Sequence, residues 1–279
     1  MRWKTRLKTL DLSQNAVLMG ILNVTPNSFS DGGDFLDVNA ALDHALVMIS
    51  EGAGIIDIGG ESTRPGAATI DSVEEIRRTI PVIKALRDVS DVLISIDTSK
   101  SSVAKAALDA GADIVNDVTG LLGDREMAQV CIDAEAGVCV MHMQGTPRTM
   151  QESPAYDDDD VVLAVQKFFS ERLDSLVRMG MNSDAICFDP GIGFGKTQEH
   201  NLALLRNLSK LQGERPLLLG VSRKSVIRNI INDESVAARD TATATITALA
   251  YEQGIRLHRV HNVLANQQAL DTVTAISVE

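Results

Sequence analysis

Residues 92–117 read VLISIDTSKSSVAKAALDAGADIVND, and this stretch contains the pattern on which the whole fold depends. Two short runs, 92–96 and 113–115, have the apolar and β-branched character of buried strands. The segment between them ends at Gly111, and glycine can close a helix in the left-handed conformation. A polar residue comes immediately after each of the two runs. The stretch therefore predicts a strand–helix–strand unit with parallel strands.

The same alternation of short apolar runs and longer amphipathic segments extends in both directions along the chain. Eight runs are predicted as strands: 16–22, 55–58, 92–96, 113–115, 138–141, 185–188, 216–221 and 255–260. Eight such units fit a closed barrel better than an open sheet, so we expect an α/β fold of the (β/α)8 or TIM-barrel type. A Rossmann-like open sheet is the alternative, but no GxGxxG turn follows the first run.

Composition and charge favour one soluble domain. The 279 residues are 44% hydrophobic and 23% charged, with only 7 prolines. We predict a single domain over residues 1–279, in which residues 1–14 are an N-terminal extension. A formal charge of −12 argues against a nucleic-acid partner, which would require clustered lysine and arginine. Three cysteines without metal-ligand spacing, and no run of the ~20 apolar residues that span a bilayer, predict a cytoplasmic protein with no membrane partner.

Polar side chains follow the predicted strands along the whole chain. They are Asn23, Asp57, Asp97, Asn116 with Asp117, His142, Asp189, Ser222 with Arg223 and Lys224, and Arg259 with His261. Any one of them has an ordinary explanation as the cap of a turn or helix. In a parallel barrel, however, the carboxyl ends of all strands face one mouth, where this fold builds its active sites. The set therefore predicts a site at that mouth.

These residues divide by charge into two predicted groups. Asn23, Arg259 and His261 belong to the first and last strands, which are neighbours in a closed barrel, and they suit a diphosphate. The amide oxygen of Asn23 suits a hard cation such as Mg²⁺. The second group suits a flat, nitrogen-rich heterocycle, because buried carboxylates accept pairs of N–H donors and a lysine balances their charge. It contains Asp97, Asn116, Asp189 and Lys224.

Eight motifs resemble those of the dihydropteroate synthase family, in the same order and over nearly the whole chain. They are GILNVTPNSFSDGG at 20–33, DIGGESTRPG at 57–66, SIDT at 95–98, NDVTG at 116–120, MHMQGTP at 141–147, DPGIGFGK at 189–196, GVSRKS at 220–225 and RVH at 259–261. The resemblance implies a barrel homodimer in folate biosynthesis. Such enzymes displace pyrophosphate from 6-hydroxymethyl-7,8-dihydropterin pyrophosphate with the amine of 4-aminobenzoate, and their cofactor is Mg²⁺.

Carried over position by position, the resemblance implies roles for residues of this chain. The pterin would be held by Asp97, Asn116, Asp189 and Lys224, with Met141 and Phe194 against its ring. The diphosphate would be held by Asn23, Thr63, Arg259 and His261, with Asn23 as the Mg²⁺ ligand. The 4-aminobenzoate site would be shaped by Phe29, Thr63, Arg64, Pro65 and Ser222, the last at the start of a short helix. The catalytic residues would be Lys224, Asp97, Asp31 and Arg64.

Two positions depart from the pattern of that family, since Asn27 and Asn262 stand where it usually has Asp. Two alternatives to the synthase share the pterin-binding residues. One is a pterin-dependent methyltransferase module, which has no use for Phe29, Arg64 and Ser222. The other is a pterin-binding barrel without synthase activity. The acidic residues 157–160 precede an amphipathic segment, so they predict a helix N-terminus rather than a metal site.

Overall fold

The computed structural model describes residues 1–13, 15–25, 34–61, 69–146, 149–157 and 160–277. The strands within them are β1 (Arg2–Lys4), β2 (Thr9–Asp11), β3 (Val17–Asn23), β4 (Ala53–Gly59), β5 (Leu93–Asp97), β6 (Ile114–Asp117), β7 (Gly137–Met141), β8 (Ile186–Asp189), β9 (Leu218–Leu219) and β10 (Leu257–Val260). The helices are α1 (Asp34–Ser50), α2 (Ser72–Val89), α3 (Ser101–Asp109), α4 (Met127–Asp133), α5 (Val161–Arg178), α6 (Gln198–Arg206), α7 (Leu208–Leu211), α8 (Ser225–Ile231), α9 (Val236–Glu252) and α10 (Val263–Ile276).

Strands β3 to β10 form one parallel sheet in the order β8-β7-β6-β5-β4-β3-β10-β9. The two ends of this sheet meet, because Phe188 of β8 forms a bridge with Leu217 and its N–H donates to Pro216 O at 2.9 Å. The predicted α/β fold of the (β/α)8 or TIM-barrel type is confirmed, and each of the eight predicted runs contains a strand. The seventh is shorter than predicted, since only Leu218–Leu219 pairs as a strand within 216–221.

The strands carry two apolar faces. Residues such as Leu18, Ile56 and Ile94 face outward and pack with the helices in the large core between sheet and helices. Their neighbours in sequence face inward and fill the barrel floor, where they form a second apolar cluster. Its strand members are Met19, Ile55, Leu93, Ile114, Cys139, Cys187, Leu218 and Leu257. A parallel strand that is buried on both faces reads as a continuous apolar run, which is why these strands were visible in the sequence.

A two-stranded hairpin closes the barrel floor. Strands β1 and β2 pair antiparallel, with Trp3 opposite Leu10. Trp3 is fully buried, packs in the floor cluster, and donates from Nε1 to Ala185 O at 2.9 Å. Leu12 follows the hairpin into the same cluster. Residues that the sequence presents only as an N-terminal extension therefore complete the core.

Local features explain where individual helices begin and end. Gly111 adopts φ +114° directly after α3, as expected of a glycine that closes a helix. The side chain of Asp160 accepts a hydrogen bond from Leu163 N at 2.9 Å and caps α5, which agrees with the predicted helix start at the acidic run. Among the described helices, none combines the length and apolar character that a bilayer crossing requires.

Candidate active site

The alternation of side chains along each strand brings polar residues into the barrel interior above the floor. On β4, Ile55 belongs to the floor and Asp57 follows it on the same face. On β10, Leu257 belongs to the floor and Arg259 follows it in the same way. A period of two therefore places a polar layer above an apolar layer. The strand residues in phase with the floor are Asn23, Asp57, Ser95, Asp97, Asn116, Met141, Asp189 and Arg259.

Arg259 joins two buried carboxylates in this polar layer. Its Nε donates to Asp57 Oδ2 at 2.6 Å, and its Nη2 donates to Asp97 Oδ2 at 2.6 Å. Asn116 Nδ2 donates to the same oxygen of Asp57 at 3.1 Å. Asp57 thus connects the predicted diphosphate group with the predicted heterocycle group, although neither includes it. The sequence predicts Asp57 at the mouth as a polar residue at the end of its strand, but it does not show this connecting role.

Burial and ion pairing act in opposite directions on this network. Burial raises the pKa of Asp97 to about 7, while Arg259 opposes the rise and the charge of Asp57 adds to it. Burial also favours a lower pKa for Arg259, but the charges of Asp57 and Asp97 outweigh it and hold that pKa above its usual value. The Oδ1 atoms of Asp57 and Asp97 are buried without a hydrogen-bond partner in the described structure. N–H donors of a bound ring would satisfy such oxygens.

Asp189 and Lys224 form a second charged pair of the mouth. Asp189 Oδ1 accepts from Gly191 N at 2.7 Å, and Lys224 Nζ donates to Ile192 O at 2.8 Å. Burial raises the pKa of Asp189 and lowers that of Lys224 to about 8, and the charge of each opposes the shift of the other. Gly220 leaves room beside them, because a Cβ there would lie 3.3 Å from Asp189 Oδ2.

An apolar wall stands beside these charges. Met141 and Phe194 pack with Val118 and Met150 in a small buried cluster. Lys224 Nζ lies 4.6 Å from the centroid of the Phe194 ring, within the range of a cation–π contact. The predicted pterin residues therefore come together as carboxylates, an amide and a lysine beside one apolar wall, which is the chemistry that suits a planar polar heterocycle.

The backbone of residues 190–196 carries Phe194 of that apolar wall. It is held in place by close contact with His142 and by a hydrogen bond from Lys196. Gly191 adopts φ +66°, and a Cβ there would lie 1.9 Å from His142 O, so no other residue fits. Lys196 Nζ donates to Phe194 O at 2.9 Å. Lys196 is buried, and burial lowers its pKa to about 7. No prediction included Lys196, although it ends one of the motifs that carry the resemblance.

Ser222 and His261 hold each other where β9 and β10 end. Ser222 Oγ lies 3.0 Å from His261 Nδ1, and His261 N donates to the same oxygen at 3.1 Å. The expectation that Ser222 begins a short helix is wrong, because α8 begins at Ser225 with Lys224 as its N-cap residue. The Ser222 hydroxyl instead connects the predicted 4-aminobenzoate and diphosphate sites.

Asn23 ends β3 beside Asp97. A Cβ at Gly59 would lie 3.9 Å from Asn23 Oδ1 and 3.8 Å from Asp97 Oδ2, so the two oxygens flank one glycine. Across the described ranges, no group of three His, Cys, Asp or Glu residues could hold a metal ion. Among the described residues, Asn23 is the predicted ligand of the cation. That arrangement fits Mg²⁺, which in phosphate-binding sites takes most of its oxygen ligands from phosphate and water.

Two polar residues that were predicted at the mouth lie on the outer face of the sheet. Asp117 accepts from Thr119 N at 2.8 Å and from Leu121 N at 3.2 Å, so it stabilises the turn after β6. The ring of His142 packs edge-on against Phe168 of α5, with 5.0 Å between centroids. The prediction that both line the mouth is wrong, because each successive residue of a strand turns to the opposite face.

Several predicted site residues lie outside the described residues. They are Phe29, Asp31, Thr63, Arg64 and Pro65, and Asn27, one of the two departures from the family pattern, lies outside as well. They belong to the segments that follow β3 and β4 in the sequence. Their roles in binding 4-aminobenzoate or diphosphate, and in catalysis, stay predictions.

Comparison with known proteins identifies the family of the chain. A family model described as "Pterin binding enzyme" matches residues 19–261, which include almost all of the barrel. The dihydropteroate synthase of Escherichia coli K12 is 44% identical over 270 residues, which cover 96% of this chain and 93% of that protein. Both chains are therefore alike over nearly their full lengths.

Two solved structures extend the likeness to the fold. The Yersinia pestis dihydropteroate synthase, solved with a sulfonamide drug complex, matches with a TM-score of 0.91 at 42% identity over 99% of each chain. The enzyme of that name from Xanthomonas albilineans, in complex with 7,8-dihydropteroate, matches with a TM-score of 0.89 at 36% identity over 100% of each chain. With the family model spanning the barrel and full-length relatives above 40% identity, the chain belongs to the dihydropteroate synthase family of pterin-binding enzymes.

Proposed function

We propose that this protein is a transferase that joins 6-hydroxymethyl-7,8-dihydropterin pyrophosphate to 4-aminobenzoate, with 7,8-dihydropteroate and pyrophosphate as products. The observation that carries the proposal is the buried Oδ1 atom of Asp97, which has no hydrogen-bond partner among the described residues and lies close to a second carboxylate, an amide and a lysine. A reduced pterin is planar and has N–H donors along its edge, so it satisfies that oxygen. The related Xanthomonas albilineans structure holds 7,8-dihydropteroate, the proposed product.

The pterin ring binds between the charged groups and the apolar wall. Its N–H donors meet the carboxylates of Asp97 and Asp189. Asn116 already donates from Nδ2 to Asp57, so its amide oxygen faces the remaining donors of the ring. Lys224 Nζ uses one of its three N–H groups on Ile192 O and keeps the others for ring acceptors. Met141 and Phe194 pack against the ring face.

The diphosphate binds above the ring, at the ends of β3 and β10. Arg259 uses two of its five N–H donors on Asp57 and Asp97, and the other three remain for phosphate oxygens. His261 adds a donor beside Ser222, and Thr63 is assigned to the same site. Asn23 holds Mg²⁺, which when bound neutralises part of the charge on the leaving diphosphate.

The reaction forms one bond and breaks one. The amine nitrogen of 4-aminobenzoate bonds to the methylene carbon of the pterin, while the carbon–oxygen bond breaks and its electron pair leaves with pyrophosphate. The amine then loses a proton to water or to the departing pyrophosphate. Arg259 and His261 donate to the oxygens on which negative charge develops. Ser222 helps to bind 4-aminobenzoate together with Phe29, Thr63, Arg64 and Pro65. Asp31 and Arg64 are proposed as catalytic residues, in the segments that follow β3 and β4.

We expect purified protein to release pyrophosphate only when the dihydropterin pyrophosphate and 4-aminobenzoate are both present. Chelation of Mg²⁺ is expected to lower the rate by at least about a hundredfold, because charge stabilisation by a bound metal contributes several kcal/mol. A coupled pyrophosphate assay, with chromatography of 7,8-dihydropteroate, measures both effects.

Two results would overturn this assignment. Dihydropterin binding without pyrophosphate release would support a pterin-binding barrel that lacks synthase activity. Pyrophosphate release at the same rate without 4-aminobenzoate would show that the aryl amine is not the acceptor. Restoration of activity by added Mg²⁺ after chelation is the control for damage to the protein.

We further propose a homodimer that forms through an apolar groove on helices α6 to α9. The groove has a volume of about 900 Å³. Among its lining residues, Ile230 and Leu249 expose 48% and 61% of their surface. Soluble monomers rarely leave such a contiguous apolar surface in water. A second copy of the chain supplies an apolar face of matching chemistry, since a two-fold interface pairs the same patch with itself.

Replacing Leu249 by glutamate is expected to convert the dimer into a monomer, because the new charge would be buried at the interface without a partner. Light scattering coupled to size-exclusion chromatography measures the mass. Leu163→Glu is the matched control, since Leu163 is 60% exposed on α5 and does not line the groove. A monomeric wild-type protein, or a dimer that persists in Leu249→Glu, contradicts the proposal.

The proposed location is the cytoplasm. Cys131, Cys139 and Cys187 are buried free thiols, and burial raises the pKa of the Cys131 thiol to about 12. Such thiols are typical of reducing compartments. Cell fractionation followed by immunodetection tests the location.

A further inference from the structure

Asp240 is a buried carboxylate on helix α9 that faces the ends of β9 and β10. It is 8% exposed. Arg223 Nε donates to Asp240 Oδ1 at 2.6 Å, and Arg223 Nη2 donates to Asp240 Oδ2 at 2.8 Å. The two parallel hydrogen bonds form a bidentate pair, the geometry that gives an arginine–carboxylate contact both strength and fixed orientation. Despite burial, which favours a higher pKa, the bonds from Arg223 hold the pKa of Asp240 below its usual value.

Asn262 provides the second connection of Asp240. Its Nδ2 donates to Asp240 Oδ2 at 3.1 Å, and its Oδ1 accepts from Ala265 N at 3.0 Å as the N-cap of α10. Since Asn262 Oδ1 accepts from the N-terminus of α10, the Nδ2 group of the side chain must face Asp240. This asparagine is one of the two departures from the pattern of the family. An aspartate at this position would set a second carboxylate against Asp240.

The conformation of Arg223 determines where its sequence neighbours Ser222 and Lys224 point. It adopts φ +57°, a conformation that costs free energy in any residue with a side chain unless its surroundings enforce it. The ion pair with Asp240 fixes its side chain, and Arg239 Nη1 donates to Arg223 O at 3.0 Å. The backbone turn at Arg223 sets the directions of Ser222 before it and Lys224 after it.

We propose that Asp240 is a positioning residue for the reaction, because its carboxylate ties the turn of residues 222–224 to the turn of residues 261–262. Through Arg223 it places Ser222 and Lys224, and through Asn262 it places His261. These three side chains belong to the three substrate sites, for 4-aminobenzoate, pterin and diphosphate. The inference rests on the proposed function, and it adds a residue that contacts no substrate. It also explains why asparagine suits position 262 in this chain. The negative charge is already carried by Asp240 on α9, and an aspartate at position 262 would repel it.

A charge exchange between positions 240 and 262 tests the proposal. Asp240→Asn leaves Arg223 without its ionic partner, and Asn262→Asp places two carboxylates together. Each single variant is expected to lower kcat/KM for 4-aminobenzoate by about tenfold, within the range of couplings between contacting residues. The double variant Asp240→Asn with Asn262→Asp carries one carboxylate again, and it is expected to recover to within about threefold of the wild type. Thermal stability is measured for all variants. If Asp240 only stabilised the fold, kcat/KM would not recover in the double variant when it is compared with a single variant of the same stability.

The matched control is Glu234→Gln, which removes an exposed ion pair with Arg228 just before α9. It is expected to leave kcat/KM unchanged. If Asp240→Asn does not fold, Asn262→Asp remains informative, because wild-type kinetics in that variant overturn the proposal. Additive losses in the double variant also overturn it.

The outcome for the proposed function stays separate from the outcome for Asp240. An inactive wild type that still binds the dihydropterin would remove only the proposed function. The wild type, the two single variants and the double variant would then be compared by their Kd for the dihydropterin. This Kd depends on the position of Lys224, which is part of the pterin site. Equal affinities in all four would overturn the role of Asp240.

Discussion

Replacing Asp97 by asparagine is expected to lower kcat/KM for the dihydropterin substrate by about a hundredfold to a few thousandfold. The change removes the charged acceptor for the ring and leaves the buried guanidinium of Arg259 with Asp57 as its remaining carboxylate. Breaking a buried ion pair by removing one partner costs about 3–5 kcal/mol. Since about 1.4 kcal/mol corresponds to a factor of ten, that cost gives the expected range. Steady-state kinetics with saturating 4-aminobenzoate measure the effect.

The pH profile gives the same variant a second readout. The pKa of Asp97 is raised to about 7, so the wild-type enzyme loses the carboxylate as the pH falls through that value. kcat/KM is therefore expected to fall on the acidic side of pH 7 in the wild type, and Asp97→Asn is expected to lack that dependence. The pKa of Lys224, lowered to about 8, gives a fall on the alkaline side that both proteins share.

Asp117→Asn is the matched control for Asp97→Asn. Asp117 is also buried, and burial raises its pKa to about 6, but its oxygens face the turn after β6. Loss of its hydrogen bonds is expected to lower the thermal stability while kcat/KM stays within about threefold of the wild type. Equal kinetic losses in both variants, or an Asp97→Asn enzyme with near wild-type kinetics, would argue against a direct role for Asp97 in binding the pterin.

Replacing Trp3 by alanine is expected to lower the free energy of unfolding by about 3–5 kcal/mol, as for other large aromatic residues in cores. Trp3 is fully buried in the barrel floor and donates a hydrogen bond to Ala185 O. Its removal leaves a cavity under the strands and an unsatisfied carbonyl. Because the chain has a single tryptophan, unfolding by urea has to be followed by circular dichroism rather than fluorescence.

Leu7→Ala is the control in the same hairpin, since Leu7 is 52% exposed between β1 and β2. A substitution there is expected to change the free energy of unfolding by no more than about 0.5 kcal/mol. Should Trp3→Ala unfold at the same urea concentration as the wild type, the hairpin would not contribute to the stability of the barrel.

Much of the barrel could be predicted from the sequence, because strands buried on both faces form continuous apolar runs. Strand β9 is an informative exception. The run 216–221 is apolar throughout, yet only Leu218–Leu219 pairs as a strand, because hydrogen bonding to β8 and β10 decides its length. The hairpin of β1 and β2 was not predicted. Strands of three residues are too short for a periodic pattern, and Trp3 is held by a residue far along the chain.

Prediction of the candidate site depended on which face of a strand each residue occupies. Asp97, Asn116, Asp189 and Lys224 come together as the sequence predicts, and the three that lie on strands are in phase with the apolar floor. Asp117 and His142 were placed wrongly by a shift of one residue, which turns a side chain to the opposite face.

The residues that support the site could not be predicted in the same way. Lys196 and Asp240 act through partners that only the folded chain brings close, and so does Asp57, which was predicted at the mouth but without this role. Asp240 in particular lies on a helix, 17 residues from Arg223 in sequence, in a segment with no feature that distinguishes it from an ordinary exposed acidic position. A contact of this kind follows from the packing of α9 against the strand ends.

The hairpin under the barrel has a consequence for synthesis on the ribosome. Trp3 precedes its hydrogen-bond partner Ala185 by 182 residues. At about 5–20 residues per second, translation of that interval takes roughly 10–40 seconds. During this time the floor under the barrel is incomplete, because β8, β9 and β10 have not yet been made. A nascent chain therefore keeps the Trp3 indole, on a segment with four basic residues, exposed for much of its elongation, which leaves it open to chaperones that act at the ribosomal exit.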